Sequence, residues 1–542
     1  MTAHLDTFVR DRLPPADEWP ELVFDLPALR FSEPCNCAVE VLDRRIDEGL
    51  GARVALLGRG VRWTYDALRV RSNQIAYVLS HDLGVVPGNR VLLVGPNTPM
   101  LAACWFGIVK AGGVVVAAMP MLRAAELATI VRRAAVSHAI CDARVLGELT
   151  RAQGDAPTLR SITTINGDGD ADLGARLVHA PTEHTAVATA TDDPVIIAFT
   201  SGTTGVPKAT VHFHRDVLAA CLCWPPHILK ATCDDRFVGS PPLAFTFGLG
   251  GLLLFPLHIG ASTILVEKAT PDVLPDVVAE FQATITVTAP TAYRAMLQQR
   301  GEALRGLGLR KCVSAGEALP AATRLEWRKA TGIEIIDGIG ATELFHIFIS
   351  HTEGDARPGA TGRVVPGYDA QVVDDALQPV PPGQVGQLAV KGPTGCRYLD
   401  DPRQRDYVRG GWNYPGDAYV MDGDGYFFHQ GRTDDLIVTG GYNVAGPEVE
   451  AVLLRHAAVA DCGVVGLPDD LRGQVVAAFV IVAPGVAPDD GLAAELQRHV
   501  KDTIAPYKYP RRIVFVDHLP RTTTGKLQRF QLRTSATGGG AP

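Results

Sequence analysis

The segment best suited to hold a phosphate is Thr200-Ser201-Gly202-Thr203-Thr204-Gly205-Val206-Pro207-Lys208. Its glycines let the backbone approach a ligand closely. Its hydroxyls and exposed backbone N–H groups can surround phosphate oxygens, and Lys208 adds positive charge. The bland alternative is an ordinary Ser/Thr/Gly turn between strands. A P-loop is disfavoured, because the spacing Gly-x4-Gly-Lys-Ser/Thr is absent and no helix clearly follows. A second candidate, His212-Phe213-His214, places two imidazoles on one face of an apparent strand. Two ligands are too few for a metal, so both histidines read as structural.

Those residues need a scaffold. The phosphate candidate directly follows the apolar run Val195–Phe199, which reads as a strand, as do Val91–Val94, Val114–Ala117, Thr263–Val266 and Thr284–Thr288. Amphipathic stretches such as Leu68–Leu79 and Leu101–Lys110 lie between them and read as helices. Such alternation predicts an α/β fold of parallel sheets covered by helices. From about residue 360 the texture changes. Pro358–Gly386 is rich in Gly, Pro and Val, with short runs such as Asp369–Val373 and Gln387–Val390, and predicts a β-rich subdomain. The last hundred or so residues read as a small α+β domain. Pro447 opens a helix over Glu448–Arg455, Leu492, Leu496, Val500 and Ile504 share one helical face, and Val475–Val482 and Ile513–Val516 are strands. The boundary falls in the polar segment Gly431–Asp435, giving domains 1–433 and 434–542.

Composition narrows the class. The 542 residues are 46% hydrophobic, which excludes a mostly disordered chain. The net charge of −8 offers no broad basic surface, so nucleic acid is not an expected partner. The 10 cysteines include no C-x2-C pair and predict free thiols in a reducing compartment, with a cytoplasmic location. The N-terminus carries acidic residues and no apolar core, so it does not read as a signal peptide. Phe237–Val266 lacks Asp, Glu, Lys and Arg, but its glycines and prolines preclude one unbroken apolar helix. No membrane span is expected.

The phosphate candidate closely resembles the phosphate loop of the adenylate-forming superfamily: acyl-CoA synthetases, adenylation domains and luciferases. Further matches follow in the family's order. They are Ser314-Ala315-Gly316-Glu317-Ala318 on the adenine side, Asp337-Gly338-Ile339-Gly340-Ala341-Thr342-Glu343, and Trp412–Asp417 with its ribose-binding Asp. The hinge motif Gly431–Asp435, then Thr439-Gly440-Gly441-Tyr442-Asn443, and Pro520–Lys526 complete the series. The resemblance covers roughly residues 50 to 530. It implies that Thr200, Ser201, Gly202, Thr203, Thr204, Lys208, Gly316, Glu317, Ala318, Asp337, Gly338, Ile339, Gly340, Thr342, Asp417, Arg432 and Lys526 bind the nucleotide. Taken alone, Asp417 would be a turn residue, Glu343 a solvated acid and Lys526 a surface lysine. In this setting Asp417 accepts hydrogen bonds from the ribose, Glu343 is the Mg²⁺ ligand, Thr204 holds a coordinated water, and Lys526 is the catalytic cation. Many relatives have Tyr where this chain has Ile339, so the adenine would lie against an aliphatic side chain.

Within the superfamily the chain looks most like benzoate- and 2-aminobenzoate-CoA ligases. The likeness rests on Leu243–Gly250, on Asp337–Phe348 with His346 three residues past Glu343, and on Tyr507–Arg511. The implied acid pocket is Phe245, Thr246, Phe247, Ala315, Gly340 and His346, whose aromatic walls suit a flat, short acid. Thr246 or His346 would meet an ortho-amino group. Gly440, Gly441, Tyr442, Lys508 and Arg511 are the implied coenzyme A contacts, and Asp434 is the hinge. The expected reaction consumes ATP and coenzyme A with Mg²⁺, passing through an acyl-adenylate. Two alternatives stay open: loading of an aryl or short fatty acid onto a separate carrier protein, and a non-catalytic nucleotide- or acyl-binding protein. A homodimer is one assembly open to it.

Overall fold

A computed structural model of the chain describes residues 1–169, 172–200, 207–435, 437–439, 442–469, 473–504, 506–521 and 527–537. Two sheets with parallel centres form its larger part. The six-stranded sheet runs in the order Ser161–Ile165, His138–Asp142, Arg90–Val94, Val114–Ala118, Pro194–Thr200, Lys208–Phe213. Every neighbouring pair in it is parallel except the last. Arg90–Val94 is buried along its whole length, as continuous Val/Leu runs are when helices cover both faces. The covering helix Pro99–Lys110 starts where Thr98 accepts from the Leu101 N–H, with Pro99 in its first turn.

The nine-stranded sheet has a parallel centre of Ile335–Gly340, Lys311–Ala315, Ile285–Thr288, Arg236–Gly239, Ser262–Ile264 and Val54–Gly58. Antiparallel strands close both its edges. The region 237–266 divides into a strand, short helical turns between Thr246 and His258, and a second strand. Among the described residues no helix is long and apolar enough to cross a membrane. The β-rich region is an antiparallel sheet in which Val385–Lys391 pairs with Asp369–Val373 and Asp417–Met421. The C-terminal part is a sheet of Tyr442–Val444, Ile437–Thr439, Gly473–Val482 and Val459–Asp469, with Arg512–Phe515 parallel to Gly473–Val482. The helices Gly446–Leu453 and Asp490–Thr503 accompany it. Leu492, Leu496 and Val500 are buried there together, as their common helical face predicts.

The expected α/β architecture is therefore present, with several element bounds shifted by one to three residues. The strand expected through His214 ends at Phe213, because His214 begins the helix His214–Trp224. The strand expected at Thr263–Val266 is Ser262–Ile264. All ten cysteines are free, and only Cys233 is not buried.

Candidate active site

The phosphate candidate lies in a hairpin. Pro194–Thr200 and Lys208–Phe213 pair antiparallel, with Thr200 opposite Lys208. A strand follows the loop where a P-loop would have a helix. Ser201, Gly202, Thr203 and Thr204 lie outside the described residues. Lys208 donates from Nζ to the Tyr398 hydroxyl at 3.1 Å, and that hydroxyl donates to Glu343 Oε1 at 2.6 Å. Ammonium, phenol and carboxylate thus form one line. Burial holds the Tyr398 phenol protonated, and the neighbouring Glu343 charge adds to this. Sequence reasoning missed Tyr398. Gly395-Cys396-Arg397-Tyr398 carries no periodic signal, and only the fold brings it beside the hairpin, where Tyr398 bridges to Thr210.

Strand ends deliver the adenine-side residues. Ser314 and Ala315 stand opposite Asp337 and Gly338 on adjacent parallel strands, and Gly316, Glu317 and Ala318 continue from the strand end. Ile339 and Gly340 finish the neighbouring strand, and the turn Thr342–Leu344 follows it. Loops beyond the carboxyl ends of parallel strands are where α/β folds place ligands. Gly340 is required by close approach: a Cβ there would lie 2.6 Å from the His346 carbonyl oxygen.

Burial pushes the Asp337 carboxyl up to about 7, although the Ser314 hydroxyl and Arg324 oppose this. The Asp337 main-chain N–H donates to His351 Nε2 at 3.1 Å. A carboxyl with a raised folded-state pKa stabilises the fold below its unfolded value and loses that contribution as pH rises. The ligand-free protein should therefore lose stability between about pH 4 and pH 7, and Asp337→Asn should flatten that slope. Thermal denaturation across this range is the check, and an unchanged slope in the variant would refute it.

Asp417 and Arg432 face each other across a hairpin, with Arg432 Nη1 donating to Asp417 Oδ2 at 3.1 Å. His429 Nε2 lies 3.5 Å from the other Asp417 oxygen, a neighbour the sequence did not indicate. The hairpin brings together the two groups expected on one sugar.

Phe245 caps the short helix Thr246–Leu249, which buries Thr246 and leaves Phe247 half-buried. Asn97, another residue the sequence did not indicate, holds the chain leading to Phe245. It donates to the Pro241 carbonyl at 2.9 Å and accepts from the Leu243 N–H at 2.8 Å. His346 sits among Trp224, Phe247 and Phe255, its ring centroid 5.6, 5.7 and 4.5 Å from theirs. Gly250 makes room for it, since a Cβ there would lie 2.6 Å from His346 Cδ2. Burial drives the imidazole down to about 3, so it is neutral at physiological pH. Neither ring nitrogen has a well-aligned hydrogen-bond partner among the described residues, although the Phe247 main chain lies close enough to oppose the fall. A neutral imidazole always has one donor and one acceptor. In an aromatic cage without such a partner, it is suited to a polar group on a bound ligand.

The expected coenzyme A contacts are less assembled. Lys508 donates to both oxygens of Glu448, at 2.6 and 2.7 Å, and the Arg511 guanidinium lies 4.7 Å from the Tyr509 ring. Gly440, Gly441, Lys526 and the side chains of Asp434 and Tyr442 lie outside the described residues. Arg521 and Leu527 form an antiparallel bridge on either side of 522–526. Arg521 and Arg294 both reach Asp461, at 2.8 and 3.3 Å, linking that bridge to the larger part of the molecule.

The fold and site together define an adenylate-forming enzyme. Residues 43–397 match the AMP-binding enzyme family and residues 448–526 the AMP-binding enzyme C-terminal domain; the chain belongs to this family. It is an AMP-forming acid–thiol ligase. It is 34% identical over 514 residues to the benzoate–CoA ligase of Thauera aromatica, covering 94% of this chain and 98% of the relative. The structure of the anthranilate CoA ligase AuaEII in complex with anthranoyl-AMP matches with a TM-score of 0.88 and 36% identity, over 94% of this chain and 98% of that one. A benzoate CoA ligase from Burkholderia xenovorans LB400 matches with a TM-score of 0.84 and 34% identity, over 92% and 99%.

Proposed function

We propose that this chain activates a small aromatic carboxylate as its acyl-adenylate and transfers the acyl group to coenzyme A, releasing AMP and pyrophosphate. The observation that carries the reading is the turn Thr342–His346. It presents Glu343 beside Lys208 and Tyr398, and three residues on it presents His346 in an aromatic cage. The similarity to benzoate and anthranilate CoA ligases supports the choice of acid.

In the first half-reaction the acid's carboxylate attacks the α-phosphorus of ATP. The loop 200–208 holds the phosphates, Asp417 and Arg432 hold the ribose, and Lys526 offsets the repulsion between two anions as they meet. Magnesium fits the residues present. Glu343 offers one hard carboxylate, whose Oε1 accepts from the Tyr398 hydroxyl at 2.6 Å. Mg²⁺ takes such a carboxylate, completed by water and substrate phosphate. Bound there, it would neutralise phosphate charge. Glu343 would hold it, with Thr204 placing a water, and Tyr398 keeps the carboxylate in place.

In the second half-reaction the thiol attacks the activated carbonyl and AMP leaves. Gly440 and Gly441 leave room for the pantetheine arm, with Tyr442, Lys508 and Arg511 beside it. Division into domains 1–433 and 434–542 about Asp434 lets one opening serve both steps. Every cluster of buried apolar side chains among the described residues ends by Phe427 or begins at or after Ile437, which supports that division.

Benzoate, 2-aminobenzoate and short fatty acids, scored by pyrophosphate release with coenzyme A or a carrier protein as acceptor, test the reading. Aryl acids with coenzyme A should be preferred; preference for a fatty acid or a carrier would refute it. Thr246 or His346 meets an ortho-amino group. On this reading Thr246→Ala or His346→Ala should lower the 2-aminobenzoate to benzoate ratio by roughly tenfold, about one hydrogen bond's worth. An unchanged ratio in both variants would remove the idea. Because His346 is already neutral, acid affinity should not change between pH 6 and 8 on its account.

A further inference from the structure

The backbone between Glu343 and His346 is strained. Phe345 stands at φ 70°, ψ −51°, and the His346 N–H donates back to the Leu344 carbonyl at 2.9 Å. This is a γ-turn with positive central φ, the rare and costly form, here centred on a bulky residue. Such a conformation persists only where its surroundings over-determine it. Three hydrogen bonds reach the turn from two distant segments, one from the strand carrying His212 and two from the stretch Thr394–Tyr398. His212 Nε2 faces the Thr342 carbonyl at 2.8 Å, so that nitrogen carries the proton and donates. Tyr398 donates to Glu343 at 2.6 Å. Thr394 donates its hydroxyl to the Leu344 carbonyl at 2.7 Å. The fully buried Phe345 ring meets the His212 ring edge-on at 5.1 Å.

The Thr394 contact differs from the others. It acts on the same carbonyl that closes the γ-turn, midway between the two functional side chains. Thr394 is 0% exposed. Its single proton is committed to Leu344, so the Tyr368 hydroxyl, 2.9 Å away, must donate to it. Tyr368 thus sets the direction of the Thr394 hydroxyl.

We propose that Thr394 is a positioning residue: by holding the Leu344 carbonyl it keeps the Phe345 turn in its strained form and fixes Glu343 and His346 relative to one another. The nucleotide side and the acid side then respond together to one buried hydroxyl. The inference rests on the roles given above to Glu343 and His346.

The decisive variants are Thr394→Val, which keeps shape and removes the donor, and Thr394→Ser, which keeps the donor. Affinities for benzoate alone and for Mg·ATP alone are measured by titration calorimetry on the full chain. Thr394→Val should weaken both by about three- to tenfold, the effect of one lost hydrogen bond, with circular dichroism unchanged. Thr394→Ser should restore both. Tyr368→Phe removes the orienting group and should weaken both by a smaller common factor; it supplies the reading if Thr394→Val does not fold. Weakening of one ligand alone, of neither, or equally in the Val and Ser variants overturns the proposal. Glu343→Gln and His346→Ala report separately on the underlying roles. If they leave Mg·ATP and benzoate affinity intact, those roles fail, while the paired response to Thr394→Val still decides the coupling.

Discussion

Lys526→Ala should abolish acid-dependent ATP–pyrophosphate exchange while leaving the enzyme able to consume supplied acyl-adenylate and coenzyme A. The first half-reaction brings a carboxylate against a triphosphate, and one cation bridging both offsets that repulsion only as the new bond forms. Removing a group that acts on transition-state charge typically lowers the rate by about 10²–10³-fold. In the second half-reaction the thiol attacks an acyl carbon, its proton is released and AMP departs as the phosphate anion, so no carboxylate is pressed against a triphosphate and that bridging cation is not required. Arg521 and Leu527, on either side of 522–526, form an antiparallel bridge, and Arg521 shares Asp461 with Arg294. Normal exchange in the variant would refute the role. Equal loss of both half-reactions would point instead to a general defect in binding.

Arg397→Met should be strongly destabilising. Arg397 donates to Asp216 at 2.8 Å, and both side chains are wholly buried. The guanidinium also lies over Phe213 and Trp19, at 4.2 and 5.1 Å from their ring centroids. Removing it leaves a carboxylate in an apolar interior, at a cost of about 3–5 kcal/mol. Replacing both partners, as in Asp216→Leu with Arg397→Met, should cost much less, because no charge is then stranded. Thermal denaturation of the two single variants and the double variant measures the coupling, and additive losses would refute it. Burial alone would raise the Asp216 carboxyl, but Arg397 overcomes it and holds the group at about 2. The pair therefore stabilises the fold above the unfolded carboxylate value and loses that contribution as pH falls from about 4 towards 2. Activity should fall with the fold. Arg397 precedes Tyr398 in the chain, and His212, on the Thr342 carbonyl, lies 3.8 Å from Asp216.

What the sequence determined by itself was local in character. Val195–Phe199 is a strand because a run of apolar, partly β-branched residues is buried on both faces. The helix Asp490–Thr503 is visible in the spacing of Leu492, Leu496 and Val500. Glycines and hydroxyls before Lys208 could be read as a phosphate loop, because the groups proposed to hold the phosphate are contiguous in the chain. Asp417 and Arg432 could be assigned to one sugar through a resemblance in which both motifs lie close together along the chain.

Tertiary structure decided the rest, because those contacts join residues with no periodic relation. Tyr398 lies 190 residues from Lys208 and 55 from Glu343, yet its one hydroxyl serves both. Thr394, Asn97 and His429 carry no sequence signal, since a hydroxyl, amide or imidazole gains its meaning only from what it faces. His346 could be named as a pocket residue from the motif. Its neutrality and its lack of a well-aligned hydrogen-bond partner follow only from the aromatic rings that other segments pack around it. The strained turn at Phe345 could not be read in advance, because a backbone forced into positive φ is maintained by distant hydrogen bonds and not by its own residue type.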